Sequence, residues 1–167
     1  MKTWTFTLLM AAAMPLLFAC NKKDDPSPSG GGDTHVAMTW TDGGTTYTAS
    51  LPTSARSVPP QPQFFMITGI SNGSLTALPS LTLTIHSTTV GTVSLNSTAS
   101  NDHVATYLTL LGDYSTDRPG GSGTVTITSV DWRNGGAIKG TFNLVVANDD
   151  GATRTLSGSF DTTFPLN

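Results

Sequence analysis

The sequence predicts an all-β fold, an antiparallel β-sandwich of about nine strands with a flattened up-and-down β-barrel as the alternative, and three observations lead there. Apolar residues recur with a period of two, turn residues punctuate the runs at short intervals, and no helical periodicity runs long enough to matter. Composition points the same way. All 11 acidic residues are Asp, Thr and Ser are abundant, and good helix formers are scarce. Asp and Ser favour turns and Thr favours strands, and many short strands closely spaced are the pattern of sandwiches and barrels.

The first strand follows from Val36, Met38 and Trp40, which alternate with Ala37 and Thr39. Asp42-Gly43-Gly44 then turns the chain into Tyr47, Ala49 and Leu51, a hairpin signature. From Pro52 to Gln63 the chain is rich in Pro, which cannot donate to a ladder, so this stretch is a loop or an edge excursion. Further strands are predicted at Phe64–Ile70, Leu81–His86, Thr92–Asn96, Ala105–Leu111, Thr124–Val130, Ala137–Val146 and Arg154–Phe160. Asn72-Gly73, Asn134-Gly135-Gly136 and Asp149-Asp150-Gly151 supply turns between them.

In Leu81, Leu83 and Ile85 the apolar face is unambiguous. Between Thr124 and Trp132 the phase slips, because Val125 and Ile127 are odd whereas Val130 and Trp132 are even. Either a bulge lies near Thr128–Ser129 or Trp132 points outward. Phe142 and Phe160 each follow a strand glycine by two residues, in Gly140-Thr141-Phe142 and Gly158-Ser159-Phe160, and are predicted to lie in the core.

The other end of the chain reads as an address. Lys2 gives a positive start, Trp4 to Phe18 is mainly apolar, and Ala19 precedes Cys20. This is a secretory signal, too short and weakly flanked to be a spanning helix. Leu17-Phe18-Ala19-Cys20 resembles the bacterial lipobox, in which the cysteine thiol receives a diacylglycerol and the new N-terminus is acylated after cleavage. Cys20 is the only cysteine, so disulfides and cysteine metal sites are excluded. Several acyl chains on one residue anchor stably, since each buried methylene contributes ~0.8 kcal/mol.

Pro26-Ser27-Pro28-Ser29 and three glycines then form a flexible spacer. The resulting organisation is a signal peptide over residues 1–19, a lipidated N-terminus and linker over 20–32, and a single all-β domain over 33–167. Asn21-Lys22-Lys23-Asp24-Asp25 resembles the short charged signal that sends lipoproteins of the Bacteroidetes to the cell surface. The expected location is the outer membrane, lipid-anchored and facing outward, otherwise on its periplasmic face.

Several stretches of the domain carry a further resemblance: Gly123 to Thr128, Val130-Asp131, Ile138 to Asn143 and Leu156 to Asp161, with Phe64 to Gly69, Leu81 to Ile85 and Gly91-Thr92-Val93 between the ends. The pattern resembles a family of uncharacterised Bacteroidetes lipoproteins, a domain of unknown function whose members carry a Gly-rich turn, a Thr-rich strand and a Gly-Thr-Phe strand. The resemblance covers most of Thr34 to Phe164 and brings no catalytic or binding residues with it.

Charged residues make up 11% of the chain, the net charge is −3, and Arg56, Arg118, Arg133, Lys139 and Arg154 are scattered singly. No basic stripe exists to neutralise phosphates, so no nucleic-acid partner is predicted. A nucleophile elbow is absent, because Gly120-Gly121-Ser122-Gly123 continues into Thr124. His35, His86 and His103 lack metal spacing and are expected to face solvent. Asp149-Asp150-Gly151, or Asp113 with Asp117, could offer oxygens to Ca²⁺, but neither approaches a full ligand set, and turn chemistry explains them.

No catalytic residue, metal or cofactor is therefore predicted. As ligand-binding candidates the aromatics Trp132 and Tyr114, in turn-like surroundings, stand out, with Arg133 beside the first, because sugar rings stack on such faces; packing at the core or its rim is the competing reading for each ring. Asp161-Thr162-Thr163 resembles an O-glycosylation acceptor, with Thr162 as its site. The expected function is a noncatalytic, membrane-anchored domain for binding or envelope structure, with a glycan or protein partner. The alternative is an extracytoplasmic hydrolase acting on glycan or peptide through Asp-based chemistry.

Overall fold

Period-two alternation becomes eleven antiparallel strands in the computed structural model, which describes residues 37–49, 52–57, 63–71, 78–87, 89–96 and 103–166. The signal peptide, Cys20, the linker, His35, Val36, Leu51 and the Asn72-Gly73 turn lie outside the described residues. In chain order the strands are β1 (Ala37–Asp42), β2 (Thr45–Ala49), β3 (Thr53–Arg56), β4 (Phe65–Ile70), β5 (Ser80–Ile85) and β6 (Gly91–Asn96). They continue with β7 (Val104–Thr109), β8 (Gly112–Ser115), β9 (Ser122–Val130), β10 (Ala137–Ala147) and β11 (Thr153–Thr163).

The nine expected strands are all present, and two are additional. β3 falls inside the Pro-rich stretch and pairs only with β4, as an edge excursion should. β8 arises because the run read as a strand to Leu111 stops at Thr109. Leu110 and Leu111 form a two-residue turn, and Gly112 pairs back with Thr109.

All eleven strands belong to one sheet curled into a half-barrel. This corrects the expectation of two separate stacked sheets. One arm runs β6-β9-β10-β11-β1-β2, the other β8-β7-β5-β4-β3, and hydrogen bonding continues between them at the single pair Ala147↔Ser115. The physical reason is the length of β10, which pairs with β9 as far as Val145 and has residues left over to reach β8. At that corner Ser115 and Thr116 are buried, and both hydroxyls are satisfied: Ser115 Oγ donates to Ala105 O, and Thr116 Oγ1 accepts from Ala105 N–H at 2.9 Å.

Between the arms lies the core, built from Met38, Trp40, Phe65, Ile67, Leu81, Leu83, Ile85, Tyr107, Ile127, Phe142, Leu144 and Phe160 with smaller neighbours. Gly69 of β4 faces Met38 and Trp40 of β1 so closely that a Cβ there would meet Met38 Sδ at 2.7 Å. Phe142 and Phe160 are each 2% exposed. Their glycines explain the motif. In the β10–β11 register Gly140 pairs with Phe160 and Phe142 with Gly158, so each ring lies over the glycine of the opposite strand. A Cβ on Gly158 would approach Phe142 Cζ to 2.7 Å, and one on Gly140 would collide with Phe160 Cζ and the Thr126 carbonyl. Two Gly-x-Phe strands therefore interlock reciprocally, each glycine making room for the other's ring.

The slipped phase in β9 is a bulge. Ser129 pairs with Lys139 and Ile127 with Gly140, leaving Thr128 as the extra residue, its Oγ1 donating to Lys139 O at 3.2 Å.

Candidate binding cleft

Two charged residues stand in the apolar phase of their strands. β1 points Met38 and Trp40 inward, and Asp42 continues that face; β11 points Phe160 and Leu156 inward, and Arg154 continues it. The β1–β11 register brings these ends together, and Arg154 Nη1 donates to Asp42 Oδ2 at 2.7 Å. Tyr107, from the facing arm, donates its hydroxyl to the same Oδ2 at 3.1 Å. The side chains of Asp42 and Arg154 are only 9% and 28% exposed, so this is a partly desolvated, charge-balanced cluster at one end of the core. The Arg154 guanidinium also covers the Tyr114 ring, 5.1 Å from its centroid.

Asp42 is held there by local chemistry. It is the last residue before a two-residue turn of Gly43 and Gly44, whose φ values of 55° and 83° match the primed hairpin turn that only such residues adopt without strain. That turn also delivers Tyr47, whose ring stacks on Trp40 at 5.6 Å.

Asp42, Tyr47, Tyr107 and Arg154 are the polar-tipped aromatic and charged residues lining a cleft of about 370 Å³. Leu78, Pro79, Thr109, Leu110 and Leu111 complete its lining. Leu110 and Leu111 are 89% and 79% exposed. A two-residue hairpin turn ordinarily carries Asn, Asp or Gly, so two solvated leucines at this tip break the local rule beside the cleft.

Burial pushes the Tyr107 hydroxyl well above the usual phenol range; the neighbouring Trp40 indole opposes the rise and the Asp42 carboxylate adds to it. A group whose folded pKa is raised stabilises the fold fully below its unfolded pKa, here about 10, and loses that contribution as pH climbs past it. Chemical denaturation between pH 9 and 11.5 should therefore show the protein losing about 1.4 kcal/mol per pH unit more than Tyr107→Phe above pH ~10. Parallel pH profiles for the two would show that Tyr107 ionises freely.

The sequence-predicted residues lie elsewhere or are covered. Trp132 is half-buried at the opposite end of the β10–β11 hairpin, stacked on Phe164 at 5.4 Å, whose ring also lies 5.1 Å from the Arg56 guanidinium. Arg133 beside it is exposed and forms an ion pair with Asp131 at 2.5 Å, drawing that carboxyl down to about 2. Tyr114 is buried in β8 rather than displayed in a turn. From Val146↔Arg154 to Ile138↔Thr162 the hairpin runs on for eight residues, about 26 Å at strand rise, so Trp132 and Tyr114 do not share a site. Thr162 is 1% exposed, with its hydroxyl directed to Pro52 O at 3.5 Å, which leaves no room for a sugar in the folded domain.

His86 and His103 are brought together, contrary to the expectation that they face solvent singly. Both are half-buried, and His103 Nδ1 accepts from the His86 backbone N–H at 3.0 Å. Of the carboxylates considered for Ca²⁺, Asp113 and Asp149 are both bound by Arg118, at 2.5 and 3.0 Å. Among the described residues no group of three or more His, Cys, Asp or Glu is placed to hold a metal.

Sequence reading missed the cleft because Asp42 passes for a turn residue, Arg154 for a scattered charge and Tyr107 for a core residue. The available signal was phase: both charges fall on the inward face of their strands. Compared with known proteins, residues 43–163 match a family model described as a domain of unknown function, DUF6252. No curated protein and no solved structure matches the chain.

Proposed function

Since the chain belongs to the DUF6252 family, a domain family with no assigned activity to transfer, we propose from its cleft that it is a noncatalytic binding module, carried on a lipid anchor at Cys20. The observation that carries the reading is the cleft at Asp42, Tyr107 and Arg154, with Leu110 and Leu111 exposed on its rim. A concave site with few, fixed polar groups and apolar walls is what small-ligand recognition requires. Among the described residues lining it Asp42 is the one carboxylate, and its Oδ2 is occupied twice, whereas Asp-based glycoside hydrolysis needs two carboxylates ~5 to 10 Å apart.

The anchor reading rests on the sequence, on Leu17-Phe18-Ala19-Cys20 and the charged residues after it. It makes the protein a lipoprotein of the Bacteroidetes outer membrane, displayed outward, with a glycan or protein as partner.

Three measurements test the proposal. A fatty-acid probe should label the protein and not Cys20→Ala, and protease added to intact cells should digest the domain; equal labelling, or full protection, overturns the anchor or its outward display. Ligand-observed NMR with fractions of a cell-envelope extract should detect a component that binds reversibly, is recovered chemically unchanged, and is lost with Leu110→Ser/Leu111→Ser. A cleaved component means an enzyme, and no binding component ends the module reading.

A further inference from the structure

Resting on that reading, we infer that the ligand of the cleft is a neutral saccharide, bound with one apolar sugar face against Tyr47 and with hydroxyls donating to Asp42. Three observations at the cleft converge on this class. The first is charge. Asp42 and Arg154 neutralise one another at 2.7 Å, so an anionic ligand is repelled by the Asp42 carboxylate, and a cationic one has to displace Arg154 and leave its partly buried charge unpaired. A ligand without charge meets neither obstacle.

The second is the direction of hydrogen bonding. Both Tyr107 and Arg154 donate to Oδ2 of Asp42, and among the described residues no donor reaches Oδ1. The carboxylate is thus oriented by one oxygen and offers the other as an acceptor in the cleft that it lines. A rigidly held acceptor asks for a hydroxyl or amide donor from the ligand, and adjacent sugar hydroxyls provide such donors at close spacing.

The third is the wall. Tyr47 lines the cleft with its ring braced against Trp40 at 25° between planes, and no described residue bonds its hydroxyl. An aromatic ring stiffened from behind, with a polar tip, gives a flat apolar surface beside a hydrogen-bonding group at little entropic cost. Leu110 and Leu111 add apolar surface to the same lining. The volume of about 370 Å³ lies at the small end for ligand sites and suits a mono- or disaccharide unit of a longer chain.

The test uses the full chain in a neutral detergent without a sugar headgroup, with leucine methyl signals followed by NMR. The probes are glucose, maltose, cellobiose, N-acetylglucosamine and chitobiose, with glucuronic acid and a Lys-rich peptide as charged counterparts. At least one neutral sugar should shift the Leu110 and Leu111 methyls, with affinity changing less than twofold between 50 and 500 mM NaCl. Tyr47→Ala should weaken it tenfold or more. Leu110→Ser/Leu111→Ser, which alters only solvated side chains and preserves the fold, should weaken it several-fold. Preference for a charged probe, indifference to Tyr47→Ala, or no shift with any sugar overturns the saccharide assignment. A component of the envelope extract that still binds at these leucines while all sugars fail would leave the module reading standing and remove only its ligand class.

Discussion

Phe160→Ala should cost about 3 to 5 kcal/mol, the usual range for a buried phenylalanine, and Gly140→Ala should cost about 1 to 3 kcal/mol through overpacking. The informative result is the pair. A Cβ at Gly140 collides with the Phe160 ring and with the Thr126 carbonyl. Removing the ring relieves the first collision and leaves the second, so the double variant should be less destabilised than the sum by about 1 kcal/mol, within the range seen for touching residues. Gly158→Ala with Phe142→Ala should behave alike, because Gly158 faces the Phe142 ring and the Thr39 carbonyl. Urea midpoints at constant slope measure all of this. Strict additivity in both pairs would mean that the rings do not lie over the glycines.

The second large effect belongs to the cleft. Arg154→Met keeps an unbranched aliphatic stem and removes the guanidinium together with its contact to the Tyr114 ring, leaving an Asp42 side chain that is 9% exposed with Tyr107 as its remaining donor. The expected loss is about 1.5 to 3 kcal/mol, the worth of a hydrogen bond to a charged group, and below the 3 to 5 kcal/mol of a fully buried pair. Asp42→Asn/Arg154→Met should recover part of it, since no uncompensated charge then remains. A loss under about 0.5 kcal/mol would class the pair with ordinary surface ion pairs, and the cleft would lose its fixed acceptor.

How far the sequence could be read depended on whether the deciding interaction was local. Leu81-Thr82-Leu83-Thr84-Ile85 declares its inward face by alternation alone, and the Thr128 bulge declares itself as a slip in that alternation. The Asp42-Gly43-Gly44 hairpin is equally local. Leu110-Leu111 misleads for the same reason: apolar residues that would extend a strand make a turn here, and only the pairing of Thr109 with Gly112 reveals it.

The cleft depends on what is far apart in sequence. Asp42 meets Arg154 through the β1–β11 register and Tyr107 through the curl of the sheet. No pattern within one strand contains either fact. Trp132 illustrates the converse, since the turn residues around it suggest display, while Phe164, thirty-two positions on, covers a face of its ring.

The register of β1 against β11 also fixes when the domain can close. Met38 to Asp42 pair on one side with β2, and Ala37 to Asp42 pair on the other with Asp161 back to Leu156, so the first strand of the domain waits for the last. A chain emerging N-terminus first keeps the β11 side of β1 without its native partner until Leu156 to Asp161 have been made. Contacts this distant carry the full entropy of loop closure before they return anything. Closure is therefore a late event that needs nearly the whole domain, and a chain ending before Thr153 would leave Met38 and Trp40 with one strand edge open and Asp42 without its arginine.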